Sequence, residues 1–217
     1  MMEEFPRRLF VAGTDTDVGK TVISAILMAG LQGSYWKPIQ SGLEETTDTE
    51  WVRLATGLPD IHFFPETCRL SRALSPHASA AVQGVRIDLP SFRLPETEDH
   101  LIVEGAGGIL VPLNERDFMV DLIDYLNLPV LLVARSTLGT INHTLLSLEQ
   151  LKVRGLTVLG VVMNGPANPG NREAIEYYGN TKVLAEIESL SKIEPPILKE
   201  TFARHFQKFV RRPSIES

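Results

Sequence analysis

The stretch Gly13-Thr14-Asp15-Thr16-Asp17-Val18-Gly19-Lys20-Thr21 has the residue types and spacing that hold a polyphosphate. Backbone N–H groups of such a loop curl into an anion-binding nest, and the helix that follows adds the positive end of its dipole. Gly19 lets the backbone approach the phosphates, Lys20 reaches the β- and γ-phosphates, and the Thr21 hydroxyl ligates Mg²⁺. The usual pattern opens with Gly four residues before the Gly-Lys pair, whereas this chain has Thr14 there and Gly13 one place earlier. A glycine-bearing turn with a chance Lys-Thr pair is the plain alternative. The apolar run Leu9 to Ala12 before it and Val22 to Met28 after it give the strand and helix that a phosphate loop requires.

Other reactive residue types fall just after apolar runs, where parallel α/β sheets gather their ligands. Lys37, held extended by Pro38, stands after the second run. Alone it reads as a solvated strand-end lysine, and beside a triphosphate it would stabilise a reacting anion. Glu104 ends Leu101-Ile102-Val103 and precedes Gly105-Ala106-Gly107-Gly108. A carboxylate there suits Mg²⁺, with a plain glycine-rich turn as the alternative. Asp48 is open between helix cap and metal ligand. Gly139-Thr140-Ile141-Asn142-His143 opens a helix whose free N–H groups suit a substrate carboxylate. His143, and His77 in Ser75-Pro76-His77, lack metal-like spacing and read as ordinary hydrogen-bonded histidines. Asn164-Gly165 reads as a tight turn or as a strand end that meets a nucleotide base.

To position these residues the chain needs a parallel sheet. Apolar runs at Leu9 to Ala12, Tyr35 to Pro38, Leu101 to Glu104, Pro129 to Ala134 and Val158 to Met163 alternate with amphipathic stretches. Helices are expected after the phosphate loop, at Thr49 to Ala55, Met119 to Leu126, Asn142 to Lys152 and Arg172 to Tyr178. Continuous apolar strands such as Val130-Leu131-Leu132-Val133 require cover on both faces. The expected fold is therefore α/β, a single-domain, doubly wound, mainly parallel sheet of the P-loop nucleotide-hydrolase type. Two prolines between Pro90 and His100 leave that segment as loop with at most a short turn, and the last twenty or so residues are expected to fray.

At 217 residues the chain can bury one substantial core. A net charge of −6 argues against a nucleic-acid or anionic-membrane footprint. The single Cys68 forms no internal disulfide and fits a reducing cytoplasm. Neither a targeting segment nor a membrane span is read in the sequence.

Taken in order, the loop Gly13 to Thr21, Lys37-Pro38 with Gln40-Ser41-Gly42, Val103-Glu104-Gly105-Ala106-Gly107-Gly108, and Gly139-Thr140-Ile141-Asn142-His143 resemble dethiobiotin synthetase. The resemblance spans Leu9 to about Arg172. It implies an ATP-dependent carboxylation that converts 7,8-diaminononanoate and CO₂ to dethiobiotin, with ADP and phosphate released, through a carbamate and a carbamic-phosphoric anhydride. Carried over residue by residue, it makes Lys20, Lys37 and Thr16 catalytic, with Thr16 and Ser41 on the carbamate side. Thr21, Asp48 and Glu104 would bind Mg²⁺. Asp17, Val18, Gly19, Lys20, Thr21, Val22, Asp48, Glu104, Gly105, Ala106, Gly107 and Asn164 would line the ATP site. Gly139, Thr140, Ile141 and Asn142 would take the substrate carboxylate across a homodimer interface, with Tyr177 as a helper. The chain departs from the pattern at Asp17, Asn164-Gly165 and Glu188-Ser189, and the last two bear on base preference.

The competing expectation is a partitioning-type ATPase switch that binds a protein partner or surface. Such loops carry an extra early lysine, where this chain has Thr14-Asp15-Thr16. A small GTPase switch lacks support, since no Asn-Lys-x-Asp or Asp-x-x-Gly element occurs.

Overall fold

The computed structural model describes residues 4–210, along which the elements run β1 (Arg8–Gly13), α1 (Lys20–Leu31), β2 (Ser34–Trp36), β3 (Ile39–Ser41), α2 (Asp48–Thr56), β4 (Phe63–Phe64), β5 (Cys68–Leu70), α3 (Pro76–Gln83), β6 (Leu101–Gly108), α4 (Met119–Leu126), β7 (Val130–Arg135), α5 (Thr140–Val153), β8 (Val158–Asn164), α6 (Pro169–Gly179), β9 (Val183–Ile187) and α7 (Pro195–His205). Seven strands form one sheet in the order β4-β2-β6-β1-β7-β8-β9, and each neighbouring pair is parallel.

Period-two alternation in the central strands sorts side chains into two cores. Leu9 and Val11 of β1 join Leu131 and Val133 of β7 on the face covered by α1, α2 and α7. Phe10, Ala12, Leu132 and Ala134 point to the opposite face, covered by α4, α5 and α6. Both sides of each central strand are therefore buried, as their unbroken apolar runs require. This is the doubly wound single-domain sheet expected from the sequence.

Several boundaries differ from the expected ones, each for a local reason. The second strand stops at Trp36 instead of Pro38, because proline has no N–H for the ladder. After it the chain leaves the main sheet, and β3 pairs with β5 in a separate two-stranded sheet. The glycine segment after Glu104 is no simple turn; it continues β6 across an irregularity and brings Gly108 opposite Gly13. The helix expected from Asn142 begins at Thr140, and the one expected from Arg172 begins at Pro169, with Asn168 as its cap. The segment before His100 holds only a 3-10 turn at Leu89–Ser91, as expected.

Strand β9, the small sheet, β4, α3 and α7 were not expected. Much of the tail expected to fray is helix: Leu198 and Phe202 of α7 are buried against α1. Gly30 makes that packing close, since a Cβ there would lie 1.9 Å from the Phe202 ring. Residues 211–217, the rest of that tail, lie outside the described residues.

Candidate active site

The phosphate loop joins β1 to α1 at the carboxyl edge of the sheet, flanked by the ends of β6 and β7. Gly19 caps α1 at φ 93°, a conformation that suits glycine. There is no room for a side chain at this position either, because a Cβ would lie 2.1 Å from Asn164 Nδ2. Gly13, the displaced first glycine, has a different use. A Cβ there would lie 2.8 Å from Lys20 Nζ, so its bareness is the space in which the lysine amine rests. From that position Lys20 Nζ donates to the Asp15 carbonyl at 3.0 Å.

The two strands beside the loop supply the charges. Tyr35 lies opposite Ile102 and Trp36 opposite Val103, so one step further along the sheet edge Lys37 meets Glu104. Lys37 Nζ is 2.9 Å from Glu104 Oε1 and 2.5 Å from Asp48 Oδ2. Both Lys37 and Glu104 are buried, which rules out the solvated strand-end lysine. Burial disfavours the Lys37 ammonium, but Glu104 and Asp48 outweigh it and hold its pKa above the usual lysine value. Asp48 is likewise held below the usual carboxylate range, as Lys37 and the Thr21 hydroxyl overcome its partial burial. Lys20 goes the other way. Its pKa falls to about 8, chiefly through burial and next through repulsion by Lys37.

Asp48 is not the cap of its helix. The cap of α2 is Thr47, whose hydroxyl accepts from the Glu50 N–H while the Glu50 carboxylate accepts from the Thr47 N–H, a reciprocal capping box. Asp48 is thereby the first helical residue, with its own N–H donated to Gln40 Oε1 at 3.2 Å. Its carboxylate turns to Lys37 and Thr21.

Thr21 Oγ1 lies 3.0 Å from Asp48 Oδ1 and 2.9 Å from Glu104 Oε1. One hydroxyl proton serves one carboxylate at a time, and the all-oxygen set of a hydroxyl and two carboxylates suits a hard divalent cation. Among the described residues no three His, Cys, Asp or Glu side chains gather as a metal cage. The protein thus offers part of a shell, the way Mg²⁺ is held together with substrate phosphates.

These residues open on a cleft of about 690 Å³ lined by Thr16, Asp17, Gly19, Lys20, Thr21, Val22, Lys37, Ser41, Asp48, Glu104, Ala106 and Gly107, together with Gln40, Trp51 and Ser75. The Ser41 hydroxyl is buried and has no protein partner among the described residues. Val18 is buried in the core behind the loop, with its carbonyl accepting from Asn164 Nδ2 at 3.1 Å. Gly105 offers its carbonyl to Lys37 at 3.4 Å. Gly165 packs on Ser136, where a Cβ would lie 2.4 Å from the hydroxyl oxygen, so a larger residue after Asn164 would displace that side chain and strain a backbone held at φ 128°. Glu188 and Ser189 line a separate hollow beyond β9 with Arg204 and His205.

The segment Gly139 to Asn142 is not brought to this cleft within one chain. The Thr140 hydroxyl is buried and turned to the Arg135 carbonyl at 2.5 Å, while Asn142 is exposed and lines a different hollow with Leu146 and Tyr178. His77 pairs with Ser75 through Nδ1 at 3.1 Å, the ordinary role expected of it.

Two residues at the site escaped the sequence reading. Arg135, at the end of β7, pairs with Asp15 Oδ2 of the loop at 2.6 Å. Tyr35 donates its buried hydroxyl to Glu104 Oε2 at 3.0 Å. Burial, and then the Glu104 charge, push the phenol pKa well above its ordinary value and keep it a donor. The period-two spacing of Tyr35 and Lys37 was the available signal, since residues two apart on a strand share a face.

A family model described as an AAA domain matches residues 7–197. An ATP-dependent dethiobiotin synthetase BioD of Paramagnetospirillum magneticum is 53% identical over 188 residues, covering 86% of this chain and 90% of the relative. The protein of that name from Brucella ovis is 48% identical over 200 residues, covering 92% of this chain and 94% of its own length. Among solved structures, the septum site-determining protein MinD of Pyrococcus horikoshii, complexed with Mg-ADP, superposes with a TM-score of 0.54 at 13% identity, covering 93% of this chain and 94% of that one. At that identity the likeness is one of fold.

Proposed function

The chain belongs to the ATP-dependent dethiobiotin synthetase family, ATP-dependent ligases of biotin biosynthesis with the AAA-domain fold, and from that premise we propose how its residues carry the ring closure. The observation that carries the reading is the convergence of Lys20 and Lys37 on one cleft with Thr21, Asp48 and Glu104.

In the first step an amine of 7,8-diaminononanoate forms an N–C bond to CO₂ and loses a proton, giving a carbamate. A carbamate oxygen then attacks the γ-phosphorus, ADP leaves, and a carbamic-phosphoric anhydride results. The second amine attacks the carbonyl carbon, releasing phosphate and a proton as the ring closes. Negative charge gathers or shifts at each stage, so preorganised cations are the effective catalytic device. Lys37, held charged by its carboxylate neighbours, faces the carbamate; Lys20 moves from the Asp15 carbonyl to the phosphates. Thr16 and the unpartnered Ser41 hydroxyl orient the carbamate. Holding both amines in one site makes the closure intramolecular.

Thr21, Asp48 and Glu104 would hold Mg²⁺, which would neutralise phosphate charge when bound with ATP. Asp17 to Val22, Gly105 to Gly107 and Asn164 form the ATP site. A homodimer completes the substrate site, with Gly139 to Asn142 of each subunit serving the other's cleft. Exposed Leu138, Leu146, Tyr177 and Tyr178 around that segment support the pairing. No helix of the described residues is long and apolar enough to cross a membrane, and one free cysteine fits the cytoplasm as its compartment.

Phosphate release from Mg-ATP, compared with and without the diamine and bicarbonate, tests the reaction. Release that needs both is the expected result. Equal release in every mixture would overturn it and favour a nucleotide switch, a reading for which the MinD likeness gives only the fold.

A further inference from the structure

We propose that Tyr35 is a positioning residue for the metal site, fixing the Glu104 carboxylate so that Oε1 alone is presented to Thr21, Lys37 and the cation. The inference rests on reading Glu104 as a magnesium carboxylate. Glu104 is fully buried and its two oxygens are treated unequally. Oε1 accepts from Thr21 at 2.9 Å and from Lys37 at 2.9 Å, on the side of the phosphate loop. Oε2 accepts from the Tyr35 hydroxyl at 3.0 Å, on the side of the core.

The strand geometry makes this division. Tyr35 and Lys37 lie two residues apart on one face, and β2 runs beside β6 with Tyr35 opposite Ile102, two residues before Glu104. One neighbour therefore reaches the carboxylate from behind and the other from the front. The phenol is itself enclosed by packing. Tyr35 is completely buried among Val11, Ile102 and α1, and its ring packs on Phe63 with centroids 6.3 Å apart. Phenylalanine would fill the same core volume, so the hydroxyl is the part of this side chain with a specific task, and a buried hydroxyl is placed where it has a partner. A donor locked on one oxygen removes a rotation of the carboxylate and leaves the other oxygen aimed, the way outer partners orient metal ligands.

The test is ATP affinity by titration calorimetry over a series of MgCl₂ concentrations, for the wild-type protein, Tyr35→Phe and Glu104→Gln, each first shown to be folded by its thermal melt. Tyr35→Phe is expected to bind Mg-free ATP within about two-fold of wild type while needing ~10-fold more MgCl₂ for its half-maximal gain in affinity, the scale for losing an outer partner of a ligand. A merely space-filling tyrosine would not move the MgCl₂ requirement. If Glu104→Gln raises that requirement and Tyr35→Phe leaves it at the wild-type value, Tyr35 has no positioning role. Equal weakening by Tyr35→Phe with and without MgCl₂ would also overturn the proposal, marking general distortion. If Glu104→Gln leaves the requirement unchanged, the magnesium reading of Glu104 fails and the proposal fails with it.

Discussion

Lys37 stands directly across the sheet edge from Glu104, with 2.9 Å between the ammonium and the carboxylate and both side chains buried. Asp48 adds a second carboxylate at 2.5 Å. The lysine is thus held by two acids, in addition to the role towards substrate proposed for it. Lys37→Ala is expected to retain ATP binding and lose turnover by about 10²- to 10³-fold, the scale for one transition-state donor. It also strips a buried carboxylate of its partner, a change worth about 3–5 kcal/mol of stability. Divalent cation can replace the missing charge between Asp48 and Glu104. Melting curves should therefore show MgCl₂ raising the melting temperature of Lys37→Ala more than that of wild type; equal shifts would separate Lys37 from the carboxylate pair.

Lys20 is expected to make nucleotide binding depend on pH. Its folded pKa is near 8, against 10.5 for an ordinary lysine, mainly because it is buried. Between those values the unfolded chain binds the proton and the folded chain does not, so Lys20's contribution to stability rises with pH across that window and is least favourable below pH 8. Binding has the opposite sign, since phosphates favour the ammonium. Mg-free ATP is expected to bind with uptake of a proton above pH 8, and with affinity falling up to ~10-fold per pH unit there. Calorimetry in buffers of different ionisation heat measures the uptake. A pH-independent affinity from 7.5 to 9.5 would show that the ammonium is not used.

What could be read from the sequence was what lies within one run of residues. The loop Gly13 to Thr21 is contiguous, Pro38 marks the strand end that presents Lys37, and the apolar runs of β1, β7 and β8 require burial on both faces. Pairings over long separations carried no local mark. Tyr35 meets Glu104 across 69 positions and Asp15 meets Arg135 across 120, and only the strand order brings them together. The small sheet was hidden for a related reason: nothing local marks the three residues Ile39 to Ser41 as a strand, and their partner β5 lies far along the chain. Helix α7 was masked by the Lys- and Arg-rich tail of which it is part, although Leu198, Phe202 and Phe206 fall at helical spacing. All three are buried.

The contact of α1 with α7 tests that last point. A methyl group at Gly30 would sit 1.9 Å from the Phe202 ring, a distance at which the helices must separate or the ring must move. Gly30→Ala is expected to lower stability by about 1–3 kcal/mol in urea unfolding, the usual cost of overpacking, despite alanine's better helix propensity. Pairing it with Phe202→Leu should recover part of the loss, because the smaller side chain yields the space. A Gly30→Ala protein as stable as wild type would mean that α7 is not docked against α1.

The proposal of a substrate site shared between subunits makes a prediction that single variants cannot. Asn142 is exposed at the start of α5, away from the Lys37 cleft of its own chain, in a hollow with Leu146 and Tyr178. If Asn142 of one subunit serves the cleft of the other, Lys37→Ala and Asn142→Ala damage different halves of each composite site. Homodimers of either variant carry two damaged sites. A mixed dimer carries one site with both lesions and one with neither. Mixing and re-associating the two inactive variants in equal amounts is expected to restore about one quarter of wild-type activity, since random exchange makes half the dimers mixed and each has one intact site. Native mass spectrometry checks that subunits have exchanged. Exchange without recovery would place Asn142 outside the site or within its own subunit's cleft, and would leave the exposed apolar face of α5 and α6 without a catalytic role.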